Sequence, residues 1–192
     1  MQITAEIESQ VNTLIANRKS IRAFSPQPIS PDMVDSLFEA ARWAPSSMNE
    51  QPWRYIYAHR EQTVLWDKIF DGLEKSNQIW VKEAGLLIVS FYKKAFTRND
   101  KPNGFAKHDL GSANGFLALQ AVDLGLQAHQ MGGYKPELIR DNLQIPEEFE
   151  LGSVIAVGYP GSLDILSDEL RKRELEPRVR KVKDEFVFNK AY

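Results

Sequence analysis

No cysteine occurs among the 192 residues of this chain. That absence removes a disulfide frame, a thiolate nucleophile and any Cys-ligated zinc or iron–sulfur centre. Histidine is almost as scarce: His59, His108 and His129 stand at no metal-ligand spacing, so a metal site is not expected. No apolar run approaches the roughly 20 residues that span a bilayer, and Met1 to Arg22 shows no signal-peptide h-region. A soluble cytoplasmic protein without a membrane partner is the expectation. Charge is balanced as well, with 24 Lys and Arg against 26 Asp and Glu. Without a global basic field no nucleic-acid partner is expected, and any anion site must be local. Neither G-x-G-x-x-G nor G-x-x-x-x-G-K-[ST] is present, which excludes the Rossmann and P-loop routes to a nucleotide.

What is present suits one domain, residues 1–192, whose length allows roughly 70% of the unfolded surface to be buried. Ile7, Val11, Leu14 and Ile15 predict a helix over Ala5–Ala16. Ser30 caps a second helix, with Pro31 and Asp32 in its first turn, Val34, Leu37, Phe38 and Ala41 as its apolar stripe, and a stop near Trp43. Trp53–Ala58 reads as a strand and Thr63–Leu73 as a helix. The continuous run Leu86–Phe91 fits a central strand buried on both faces. The polar stretch Lys93–Lys107 is expected to be a surface loop or insertion. Asp109–Leu124 is the longest helical segment, stopped by Gly125, and Gly111 and Gly115 strip one of its faces of side chains; both close approach to a neighbour and ordinary core packing account for that. Gln127–Met131 and Gly152–Gly158 read as strands, and Pro136–Leu143 as a helix. Helices and strands intersperse without a regular βαβ march, which gives an α+β class. From Leu163 to Tyr192 the chain holds eight Lys or Arg and seven Asp or Glu, then the β-prone triplet Phe186-Val187-Phe188. Such a tail has little core of its own and is expected to add a strand or arm to something else.

Two segments carry the chemistry. In Asn17-Arg18-Lys19-Ser20-Ile21-Arg22, three cations and a hydroxyl fall within five residues, and Arg18 and Arg22 share a side if the turn is helical. A solvated helix end explains this run equally well when it is taken alone. The second segment, Pro45-Ser46-Ser47-Met48-Asn49-Glu50-Gln51-Pro52, sets hydroxyls and carboxamides between two prolines. These can bond the edge of a ring with alternating carbonyl and N–H groups. Together the segments suit a phosphorylated heteroaromatic ligand.

Arg18-x-Ser20-x-Arg22-x-Phe24, Ala44-Pro45-Ser46-Ser47-x-Asn49-x-Gln51-Pro52-Trp53 and Gly158-Tyr159-Pro160 resemble the nitroreductase family of FMN-dependent oxidoreductases, from about Asn17 to Phe188. The resemblance implies an α+β fold with a mixed, mainly antiparallel central sheet flanked by helices. It further implies an intertwined homodimer with an exchanged C-terminal arm, residues 163–192, and two FMN sites between subunits. Arg18, Lys19, Ser20 and Arg22, joined by Arg178 and Arg180, would meet the FMN phosphate and the nearby ring edge. Pro45, Ser46, Ser47, Asn49 and Gln51 belong to the cofactor-binding set, with Ser46, Ser47 and Asn49 coming from the other subunit. Asn77 would bond the ring edge, and Gly132 and Gly133 would face flavin N5 and O4. No side chain is assigned a catalytic role. The implied reaction moves hydride from NADH or NADPH through flavin N5 to a small-molecule acceptor, a nitroaromatic or quinone, by alternating half-reactions. Flavin reductases, dehalogenases and dehydrogenating enzymes share the family, and a flavin binder without turnover is the non-enzymatic alternative.

Overall fold

The computed structural model describes residues 9–191. In chain order the elements are α1 (Thr13–Asn17), α2 (Pro31–Arg42), β1 (Trp53–His59), α3 (Thr63–Phe70), α4 (Lys75–Val81), β2 (Leu86–Lys93), α5 (Ala106–Asp123), β3 (Gln127–Met131), α6 (Pro136–Leu143), β4 (Phe149–Gly158) and α7 (Asp168–Leu175). The four strands make one sheet in the order β1-β2-β4-β3. Every pairing among them is antiparallel, where the expectation allowed a mixed sheet.

The sheet is central because β2 and β4 are apolar on both faces. Leu87, Val89 and Phe91 of β2 join Val154 and Ala156 of β4 in one core, with Ile69, Trp80 and Ile139 from α3, α4 and α6. The alternate residues Leu86, Ile88, Ile155 and Val157 face the other way, into a core closed by Leu37 of α2 and Leu117 of α5. Period-two alternation thus feeds two helical layers from one pair of strands. Ser90 is the polar exception, fully buried, and its hydroxyl meets Ser153 and Asn114.

Punctuation by capping holds where the chemistry is explicit. The Ser30 hydroxyl accepts from the Met33 N–H, Pro31 opens α2, and Trp43 closes it. Gly125 takes φ 76° after α5, the left-handed conformation that glycine adopts freely. The N-terminal helix is shorter than expected: Ser9–Asn12 is not helical, Asn12 caps α1 at Leu14, and Ala5–Glu8 lie outside the described residues. α5 starts three residues before Asp109, because Asn103 already turns the chain by accepting from the Phe105 N–H. Within 93–107 the loop is tied down by an Ala95–Pro102 bridge and by Glu50, which accepts from the Thr97 N–H at 2.8 Å and its hydroxyl at 2.6 Å.

The tail behaves differently from its composition. It contains α7, capped by Ser167, and Leu166 and Leu170 are buried in this chain's own core. Phe186, Val187 and Phe188 are exposed and belong to no strand. The first part of the tail is thus anchored to this chain's own core through α7.

The segment leading to the site is fixed by a close backbone approach. Gly161 donates to the Ala23 carbonyl at 2.8 Å and Ser25 donates to the Tyr159 carbonyl at 2.8 Å. A Cβ on Gly161 would meet the Phe24 carbonyl group and the Ser25 nitrogen, backbone atoms that cannot yield without breaking those bonds. Gly161→Ala is expected to lower stability by about 2–3 kcal/mol. Gly104→Ala, where a Cβ meets nothing within 4 Å, is the control. Urea unfolding of the two variants checks this, and equal midpoints would contradict it.

Candidate functional site

The basic run is not helical. α1 ends at Asn17, and Arg18 is extended with φ −62° and ψ 126°. The helical route to a shared side for Arg18 and Arg22 is thus replaced by extended alternation, in which Ile21 and Ala23 are buried while Ser20 and Arg22 are not. Side chains of the edge strand β3 hold this segment in place. Gln127 accepts from the Lys19 N–H at 2.7 Å and donates to the Asn17 carbonyl at 3.4 Å. His129 Nδ1 lies 2.8 Å from the Ile21 carbonyl. A carbonyl only accepts, so Nδ1 carries the proton. Two residues apart on a strand, Gln127 and His129 share a face and grip the backbone at Lys19 and Ile21.

His129 is also stacked on Trp80, with ring centroids 4.6 Å apart, and Trp80 stacks in turn on Phe24. Burial pushes the imidazole below its ordinary range, and the Arg22 and Arg18 charges push the same way against the Ile21 carbonyl. His129 is therefore neutral at pH 7.

Around the held segment lies a cavity of about 600 Å³ lined from both ends of the chain, by residues 18–23 and by the tail up to Arg180. Arg178 donates to the Arg18 carbonyl at 2.9 Å and to the Ala16 carbonyl at 2.7 Å. Arg18 donates to the Ser20 hydroxyl at 3.2 Å. Burial, then the charges of Arg178 and Arg180, lowers the Arg18 pKa from its ordinary value. No carboxylate pairs with Arg18, Arg178 or Arg180 among the described residues. Arg22 does have one: Glu174 of α7 accepts from its N–H at 3.2 Å and lies 3.4 Å from its guanidinium. Arg18, Lys19, Ser20, Arg22, Arg178 and Arg180 thus line one cavity.

Asn77, Gly132 and Gly133 form a second group. Gly132 and Gly133 follow β3 directly, and Asn77 Nδ2 donates to the Gly133 carbonyl at 2.9 Å. β3 joins this group to the basic segment, and its five residues span about 17 Å at strand rise. Asn77 stands one turn before Trp80 on α4, the ring on which His129 stacks.

Pro45, Ser46, Ser47, Asn49 and Gln51 lie elsewhere on the same chain. The Ser47 N–H is bound to Asp109, in the first turn of α5, at 3.1 Å. Lys19 is bound to Gln127, just past the other end of that 18-residue helix, whose length is about 27 Å. Within the segment Gln51 donates to Asn49, and the Gln51 N–H donates to the Ser46 hydroxyl at 3.0 Å. Met48, Asn49 and Gln51 all have positive φ, at 55°, 55° and 52°. Such conformations cost about 1–3 kcal/mol each in residues other than glycine and concentrate at functional segments.

Sequence reasoning missed Gln127, His129, Asp109 and Glu174. The first two were findable, since they alternate on a short strand that runs straight into Gly132-Gly133. Nothing local marks Asp109 or Glu174, whose partners are 62 and 152 residues away.

Comparison with known proteins agrees with this arrangement. The Nitroreductase family model matches residues 15–79, which contain the basic run, the serine-rich segment and Asn77. A solved structure described as an oxidoreductase containing FMN is 32% identical, with a TM-score of 0.94, and the alignment covers 100% of this chain and 98% of that one. A protein of Methanothermobacter thermautotrophicus, provisionally named NADH dehydrogenase/NAD(P)H nitroreductase, is 28% identical over 83% of this chain and 85% of its own length. An iodotyrosine deiodinase of Haliscomenobacter hydrossis is 26% identical over 81% of this chain and 82% of its own. With its antiparallel sheet between two helical layers and its paired basic and serine-rich segments, this chain belongs to the nitroreductase family.

Proposed function

We propose that this chain is an FMN-dependent NAD(P)H oxidoreductase whose cofactor phosphate is held by Arg18, Ser20, Arg22, Arg178 and Arg180. The observation that carries the reading is the convergence of Arg18, Arg178 and Arg180 on one cavity, with no carboxylate ion-paired to any of the three among the described residues. Like charges in a half-buried space repel, and a terminal phosphate with −1.5 to −2 charges supplies what they lack. A solved relative that is 32% identical along its whole length contains FMN.

When bound, FMN supplies hydride chemistry at N5, taking reducing equivalents from NADH or NADPH and passing them to a nitroaromatic, quinone or related acceptor in alternating half-reactions. The chain's part is placement. Gln127 and His129 hold the 17–21 backbone, so the segment that carries Arg18 and Arg22 is set in place before an anion arrives. Lys19, held by its own N–H at Gln127, adds a cation beside them. Asn77 orients Gly133, and with Gly132 these backbone groups would face the ring. NADH and NADPH are both candidate donors, in keeping with the archaeal relative's name. A second reading keeps the cofactor and changes the acceptor to a halogenated aromatic, because the deiodinase relative aligns over 81% of this chain.

The two halves of the site are separated by α5 within one chain, which supports a homodimer in which Pro45, Ser46, Ser47, Asn49 and Gln51 of a second copy complete it. Gly111 and Gly115 fit such a contact: a Cβ on either meets nothing within 4 Å, and Phe116 beside them is 39% exposed. The exposed triplet Phe186-Val187-Phe188 supports an arm, within residues 163–192, that crosses to the partner.

Two measurements check these assignments. Purified protein should take up FMN and turn yellow, and NADH or NADPH without oxygen should bleach it; a colourless preparation that refuses FMN would end the reading. Arg18→Ala should weaken FMN about 10- to 100-fold, with a shallower salt dependence. The second concerns the α5 face. In an isolated chain Gly111→Ala with Gly115→Ala should stabilise α5 by about 1 kcal/mol per site. At a helix-to-helix contact the added methyls should instead raise the dimer dissociation constant, as read by sedimentation. A more stable protein with unchanged self-association would contradict a contact between subunits through this face of α5.

A further inference from the structure

Glu174 is the acid in direct contact with Arg22 of the basic run. Its side chain is 11% exposed, and it reaches Arg22 twice, at 3.2 Å to the backbone N–H and 3.4 Å to the guanidinium. The other charges on the tail are accounted for differently. Arg173 turns to Glu169 at 2.8 Å, and Glu176, which also lines the cavity, makes no ion pair among the described residues. The Arg22–Glu174 contact is neither short nor bidentate, and Arg22 keeps donors for another acceptor. A contact of that kind is exchangeable.

On the reading that this cavity takes a phosphate, we propose that Glu174 is an internal competitor for Arg22, a carboxylate that lowers the affinity of the site for the ligand's phosphate. The physical argument is one of charge. Glu174 lies among the groups that attract the phosphate, in a cavity where screening by solvent is reduced. It stabilises a cluster that would otherwise hold four mutually repelling guanidinium groups, and it repels the dianion that should replace it. Arg22 therefore exchanges one acceptor for another when phosphate arrives. Glu174 lies in the last turn of α7, just ahead of Arg178 and Arg180, so the exchange also links phosphate binding to the segment that delivers those two arginines.

The test is Glu174→Gln in the full chain, which keeps an acceptor for the Arg22 N–H and removes the charge. FMN and inorganic phosphate should each bind about three- to tenfold tighter than to the unsubstituted protein, with the gain shrinking as salt is added. Riboflavin, which lacks the phosphate, should bind both proteins alike, and Arg22→Ala added to Glu174→Gln should abolish the gain. Thermal unfolding without ligand checks that the variant is folded. Equal or weaker FMN binding by Glu174→Gln, or equal tightening of riboflavin, overturns the proposal. If the unsubstituted protein binds neither FMN nor phosphate, the phosphate reading of the cavity fails and takes the proposal with it; if it binds both and the variant binds neither more tightly, the competitor role alone fails.

Discussion

Arg18 and Arg178 are 160 residues apart in sequence and share one wall of a cavity, where Arg178 donates to the Arg18 backbone. Bringing guanidinium groups together costs electrostatic energy, and these line one hollow of about 600 Å³. The fold spends its local bonding on holding this arrangement. β3 grips the 17–21 backbone from one side through Gln127 and His129, and α7 grips it from the other through Glu174. The Gly161–Ala23 and Ser25–Tyr159 bonds lock the segment that follows. Together these ties make an electropositive wall.

Position on the sheet explains why this can happen at β3. It is the edge strand of the order β1-β2-β4-β3, so one side of it is free of ladder bonding. Its side chains take over as partners for an extended segment that never becomes a fifth strand. His129 stays neutral under burial and stacks on Trp80, so the grip on Ile21 adds no further charge beside Arg22. Just past the end of the same strand, Gly132 and Gly133 present no side chains, and the Gly133 carbonyl is bound by Asn77.

Much of this fold was legible in the sequence because its signals are local. Ser30-Pro31-Asp32 marks the start of α2 through capping chemistry, and the apolar run in β2 fits a strand covered on both faces. The bounds of β3 and α6 follow from flanking glycine and proline. Failures came where tertiary contacts override local composition. The charged tail reads as having little core of its own, yet Leu166 and Leu170 suffice to dock α7 because the sheet offers them a place. The helical reading of the basic run failed because Gln127 and His129 supply an extended segment with partners that no local pattern reveals. In the site, the residue types were readable and the pairings were not: Glu174 on Arg22 and Asp109 on Ser47 are long-range contacts.

The central claim is that one ligand site takes its basic wall from one copy and its serine-rich segment from another. Subunit mixing tests it directly. Arg18→Ala and Asn49→Ala should each bind FMN poorly alone. After their subunits exchange, each mixed dimer has one site free of both substitutions, so about a quarter of all sites should regain tight FMN binding. A mixture that binds no more FMN than the two variants measured apart would show that the basic wall and the serine-rich segment do not meet across subunits.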